Sequence, residues 1–128
     1  MSGDRRRDRG AGCERGSASV LLAGVMGVVV LLSCAAMVVV GYAVATHRAR
    51  GAADLAAVSG AAAFGQGEDA CAQARRTAAD NGARLVRCDQ VGDQLDYVVT
   101  VRVAIGVRVR VAGLPRQVES LAHAGSTG

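Results

Sequence analysis

A chain of 128 residues has room for one domain, and residues 17–46 of it carry no charge at all. The net charge of +4 comes from fifteen arginines and no lysine, in an Ala/Gly/Val-rich background that reads as GC-rich coding. One phenylalanine, two tyrosines and no tryptophan leave almost nothing on which bases could stack, so nucleic acid is excluded as the expected partner.

Residues 1–16, with "GDRRRDRG", form a basic segment ahead of the apolar run "SASVLLAGVMGVVVLLSCAAMVVVGYAVAT". A bilayer core needs about twenty apolar residues, and this run exceeds that. It holds fifteen Val, Leu or Met side chains between Val20 and Val44. At roughly 0.3–0.6 kcal/mol each near the helix centre, insertion is favoured by on the order of 5 kcal/mol before glycine and serine are discounted. Residues 17–46 are therefore expected to be a transmembrane helix. Arg5, Arg6, Arg7, Arg9 and Arg15 precede it, against Arg48 and Arg50 just after it. The excess of basic residues predicts a cytoplasmic N-terminus and an extracytoplasmic C-terminus, in a single-pass protein of the cell membrane. Two alternatives compete with an uncleaved anchor. Ala43-Val44-Ala45 fits a signal-peptidase site, which would release a small secreted binding module after Ala45. "LLSC" would place a lipoprotein cysteine at Cys34. The run is about twice as long as an ordinary signal-peptide core, which favours the anchor.

"THRARGAADLAAVSGAAA", residues 46–63, reads as a further helix with few bulky side chains to dock on a core. Residues 47–64 are assigned to this juxtamembrane, alanine-rich helix. If it continues the span without a break, the two together measure roughly 70 Å at 1.5 Å per residue. Such a helix would project outward as a stalk with a thin face open to neighbours. Ala23-x-x-x-Gly27 and Gly41-x-x-x-Ala45 fit the small-xxx-small pattern by which membrane helices pack closely.

Residues 65–113 are expected to form a small extracytoplasmic α+β module. "FGQGED" breaks the preceding helix, and "EDACAQARRTAADNGA" reads as the next, with Glu68 and Asp69 at its positive end and Asn81-Gly82 as its C-cap. "ARLVRCDQ" and "LDYVVTVRV" are expected strands, the latter alternating Tyr97, Val99, Val101 and Val103 against Asp96, Val98, Thr100 and Arg102. "VRVRV", residues 107–111, alternates likewise and is expected as another strand of a two- or three-stranded antiparallel sheet. Arg102, Arg108 and Arg110 form a row suited to the solvated strand face, or to anionic lipid or a partner. Residues 114–128 read as a polar tail. Of the four cysteines, Cys13 falls on the cytoplasmic side and Cys34 in the span, while Cys71 and Cys88 share the outer side, where disulfides persist. A Cys71–Cys88 bridge would contribute roughly 3 kcal/mol by constraining the unfolded chain.

No cofactor or metal is expected, because no C-x-x-C or Cys/His cluster occurs. His47 and His123 lie at opposite ends of the outer region without a Ser/His/Asp grouping, an acidic dyad or a phosphate-binding glycine loop. An enzyme acting on a small-molecule substrate is not expected.

"ERGSASVLLAGV" resembles the N-terminus of TadE/TadG-like proteins of the Tad system, which assembles Flp pili. Those proteins begin Arg-Gly-x-x-x-Val and enter the membrane at once. "HRARGAADLAAVSGAAA" is similar to the basic, Ala-Ala-Asp-rich extension after their span, and the whole chain looks like a short actinobacterial TadE-like protein. The resemblance runs well from Glu14 to Phe64 and more loosely beyond. It implies a pseudopilin-like structural or assembly component whose partners are the membrane and other Tad/Flp subunits, joined through helix packing. It also implies a peptidase site between Gly16 and Ser17. Five residues after that glycine, where processed pseudopilins carry glutamate, this chain has Leu21.

Overall fold

A computed structural model describes residues 14–126, with side chains from Ser17 onward. In chain order it holds α1 (Glu14–Gly65), α2 (Ala70–Asp80), β1 (Arg84–Gly92), β2 (Tyr97–Gly106) and β3 (Gln117–Ser126). The fold is α+β, as the patterning predicts, and the strands form one antiparallel sheet in the order β1-β2-β3. The chain divides into two units, one ending at Val38 and the other beginning at Val39.

In the first unit α1 wears its large apolar side chains on every side. From Val20 to Leu32 they are between 51% (Val29) and 73% (Val20) exposed. A helix apolar all round needs an apolar surrounding, and the described residues do not supply one here. This helix is long and apolar enough to cross a membrane. The Ser33 hydroxyl donates to the Val29 carbonyl four residues back (2.8 Å), so that its polar group is satisfied within the helix.

In the second unit α1 changes character. Ala45, Ala49, Ala52, Ala53, Ala56, Ala57 and Ala61 are buried at helical spacing. The bulk they lack comes from the inner face of β2, where Val99, Val101 and Val103 are fully buried beside Tyr97 and Ile105. Each such valine contributes roughly 1.5–3 kcal/mol by leaving water. Ala70, Ala74 and Ala78, four apart on α2, complete the core. The two helices come close at Gly60, where a Cβ would meet the Ala70 carbonyl oxygen at 3.0 Å and the Ala74 methyl at 3.3 Å. Beside it the Ser59 hydroxyl bonds the Thr77 hydroxyl (2.8 Å), joining the helices.

The C-terminal end of α2 follows the predicted cap, and Asp69, expected at the positive end, is the N-cap. Asp69 accepts from the Ala72 amide (2.9 Å), Asn81 is the C-cap, and Gly82 takes φ +70° while the Ala83 amide closes on the Ala78 carbonyl.

Two expectations fail on strands. Residues 107–111 are loop, not strand, because β2 ends at Gly106 and the Val107 amide turns to the Arg116 carbonyl (2.9 Å), starting the return to β3. Residues 117–126, expected within a polar tail, are β3, paired with β2 from Gly106↔Gln117 to Tyr97↔Ser126. Its inner positions Ala122 and Ala124 lie opposite Val101 and Val99, and small partners suffice against those valines.

Candidate interaction surfaces and the disulfide

The four small residues singled out for helix packing separate by unit. Ala23 and Gly27 lie exposed on the apolar stretch of α1, and a Cβ at Gly27 would meet nothing within 4 Å. Gly41 and Ala45 are covered by the chain itself. A Cβ on Gly41 would stand 2.9 Å from Cγ2 of Val109, and Ala45 is buried. The 107–116 loop causes this. Val109 seats on Gly41, and the Tyr42 hydroxyl donates to the Pro115 carbonyl.

The alanine-rich stretch is corrected in the same sense. Its thin face is occupied by the sheet and α2 rather than open to neighbours. What α1 leaves open in this unit is the opposite side, where Gly51, Leu55, Val58 and Ala62 are exposed at 4-3-4 spacing. Leu55 and Val58 are 52% and 61% exposed, large apolar groups on the helix that carries the core. Sequence reasoning missed this stripe because the two large residues are outnumbered by alanines. Its signal was the 51-55-58-62 spacing.

Cys71 and Cys88 form a disulfide with a Cα–Cα distance of 5.8 Å. The first turn of α2 presents Cys71, and β1 places Cys88 opposite Val101 with its side chain against the core. A register shift between Leu85 and Arg87 keeps Leu85 and Cys88 on the inner side although they are three apart. Cys34 is free and exposed on α1, and Cys13 lies outside the described residues. Gly16 and Ser17 fall in the first turn of α1.

The arginine row does not form. Arg102 is on the outer sheet face, 3.8 Å from Glu119, in a solvated pair that contributes little. Arg108 and Arg110 are carried away from it on the loop. His123 lies in β3, its Nδ1 2.8 Å from the Thr100 hydroxyl, and His47 is exposed on α1. At the β1 edge Arg87 bonds Asp89 (2.7 Å), which raises the guanidinium pKa, first through that hydrogen bond and then through charge. In the turn before β2, amides of Leu95 and Asp96 donate to Asp93 Oδ1 (2.9 and 3.0 Å) and hold that carboxyl below its ordinary range. Among the described residues no three His, Cys, Asp or Glu side chains are placed to hold a metal ion together. No protein-family model, curated protein or solved structure matches the chain.

Proposed function

We propose that the chain is a single-pass membrane protein with its N-terminus in the cytoplasm and its α+β module outside. In this reading it serves, without catalysis, as a pseudopilin-like structural or assembly component of a Tad/Flp-type pilus or related secretion apparatus. The observation that carries the reading is the division of labour along α1. Its first stretch is apolar all round, and its second holds a disulfide-linked module on one side while Gly51, Leu55, Val58 and Ala62 stay open on the other. A helix that is at once anchor, core element and exposed ridge suits a subunit that packs against other helices. The choice of the Tad/Flp system rests on the resemblance of "ERGSASVLLAGV" and "HRARGAADLAAVSGAAA" to TadE/TadG-like proteins.

Release after Ala45 is the weaker reading. It would cut within α1 beside a buried residue and strip Gly41 and Tyr42 from the loop they hold.

The test uses Gly27→Leu combined with Val58→Asn, which alter exposed positions on both stretches. The double variant should stay with the membrane after a carbonate wash, lose crosslinks to its partners and impair pilus or secretion output. Normal assembly with both changes would leave only a membrane anchor. Gly41→Leu is unsuitable, since it strikes Val109 of the same chain. A reporter fused after Gly128 should be active outside, and activity inside would reverse the orientation.

A further inference from the structure

We propose that the second unit carries a binding site for anionic phospholipid headgroups, built by Arg48 of α1 and Arg108 of the 107–116 loop. The inference rests on the membrane reading above and adds a specific contact to it. A cleft of ~270 Å³ opens between α1 and the start of the loop, lined by Gly41, Val44, Ala45, Val109 and the two arginines. Its floor is thus apolar and its charged groups are both guanidinium. Neither arginine forms an ion pair with a described residue. In the sequence, Arg50, Arg110 and Arg116 belong to the same two segments, and no Asp or Glu occurs from 97 to 118 or from 17 to 53, with Asp54, Asp96 and Glu119 at their borders.

Placement decides what such a cleft meets. Gly41, Val44 and Ala45 belong to the last turns of the uncharged run, and Arg48 is the first arginine after it. A helix that crosses the bilayer with residues 17–46 brings these turns to the headgroup layer, and the loop is fastened there by Val109 on Gly41 and by Tyr42 on Pro115. Val111 and Leu114 of the same loop are 40% and 43% exposed. Apolar groups beside arginines form an interfacial surface, in which the apolar parts meet acyl chains and the guanidiniums meet phosphate. Two guanidiniums on one cleft can each present paired N–H donors to phosphate oxygens.

The chain has no tryptophan, so Leu114→Trp makes a single fluorescent reporter in the loop. The full-length variant is placed in phosphatidylcholine nanodiscs with increasing phosphatidylglycerol, and its quenching by lipid brominated near the headgroup is followed. Quenching should rise with phosphatidylglycerol. Arg48→Gln and Arg108→Gln should each weaken the apparent lipid affinity about fivefold, while Arg76→Gln on α2 should leave it unchanged. Equal quenching with and without phosphatidylglycerol, or a double arginine variant indistinguishable from the parent, would overturn the site although the anchor stands. If inorganic phosphate reproduces the response without anionic lipid, the cleft is a free-phosphate site and the proposal fails. Loss of the wild type from vesicles in carbonate would remove the membrane reading itself, and the site with it.

Discussion

The two stretches of α1 reverse the common association of large apolar residues with the interior. From Val20 to Leu32 the big side chains are exposed, whereas from Ala45 to Ala61 the small ones are buried. Both facts follow from who supplies the apolar partner. In the second stretch the sheet supplies it, and β-branched valines on β2 fill the space that alanines leave while letting the helix come close. In the first stretch no described residue does, and the large side chains of the helix stand exposed. Residue size along one helix therefore separates the stretch that packs against the module from the stretch whose apolar side chains stay exposed.

The strongest way to test that difference is to remove the covalent link that only the second region possesses. Cys71→Ser and Cys88→Ser should each lower the stability of the module by about 3 kcal/mol, because either opens the same loop. Cys34→Ser on the first stretch should leave it unchanged. Hydrogen exchange of the β2 amides in the detergent-solubilised chain reads both, and unequal effects of the two outer cysteines would point to a role beyond loop closure.

Exchanging size between the stretches sharpens the contrast. Ala53 is fully buried, so Ala53→Leu should overpack the helix–sheet contact and cost about 1–3 kcal/mol in the same assay. Leu31→Ala removes a side chain 70% exposed and should leave the module within about 0.5 kcal/mol of the parent. Its effect belongs to insertion, which it makes less favourable by roughly 0.5 kcal/mol. A tolerated Ala53→Leu would mean that the alanine face is not in close contact.

Which parts of this were legible in the sequence depended on contrast between neighbours. β2 was clear because Tyr97, Val99, Val101 and Val103 alternate against Asp96, Val98, Thr100 and Arg102, and the C-cap of α2 was clear because Asn81-Gly82 has a specific backbone use. β3 was not, since its inner positions Ala122 and Ala124 are small and its large residue, Leu121, lies on the outer face opposite Arg102. The alternation of 107–111 was real but misleading: Val107 and Val109 anchor a loop rather than a strand. The alanine face of α1 was misread for a related reason. Its partner lies some forty residues on in the sequence, and a local window sees only missing bulk. Of the interaction positions, the cysteine pair could be read from compartment alone, whereas the covering of Gly41 depended on a loop whose path the sequence does not disclose.

A smaller effect tests how α1 is tied to the sheet at the end of its buried stretch. The Tyr97 hydroxyl donates to the Ala61 carbonyl (2.8 Å) at a buried site, with its ring tilted 54° to Phe64 at a centroid distance of 4.8 Å. Tyr97→Phe keeps the ring contact and removes the hydrogen bond, so a loss of about 1 kcal/mol is expected in the exchange assay. No change would assign that junction to packing alone.

The smallest effect concerns the turn that leads into β2. Gly92 takes φ +112°, a backbone conformation that suits glycine, and Asp93 then gathers the Leu95 and Asp96 amides on Oδ1 while its own amide donates to the Asp96 carbonyl. Those amide hydrogen bonds favour the charged carboxylate, so its folded pKa lies below the unfolded one. The sign follows directly: the turn's contribution is complete above the unfolded carboxyl pKa, about 3.9, and is lost as pH falls through the folded value. The group is exposed, so the change should be local, with little effect on overall stability. In an NMR titration the Leu95 and Asp96 amide signals should move together, with a midpoint below that of an unstructured aspartate. Asp93→Asn retains an acceptor oxygen but cannot titrate, and should abolish this movement while keeping the turn. Movement that persists in Asp93→Asn, or a midpoint at the ordinary carboxyl value, would mean that the turn is held by Gly92 and the strand register rather than by the carboxylate.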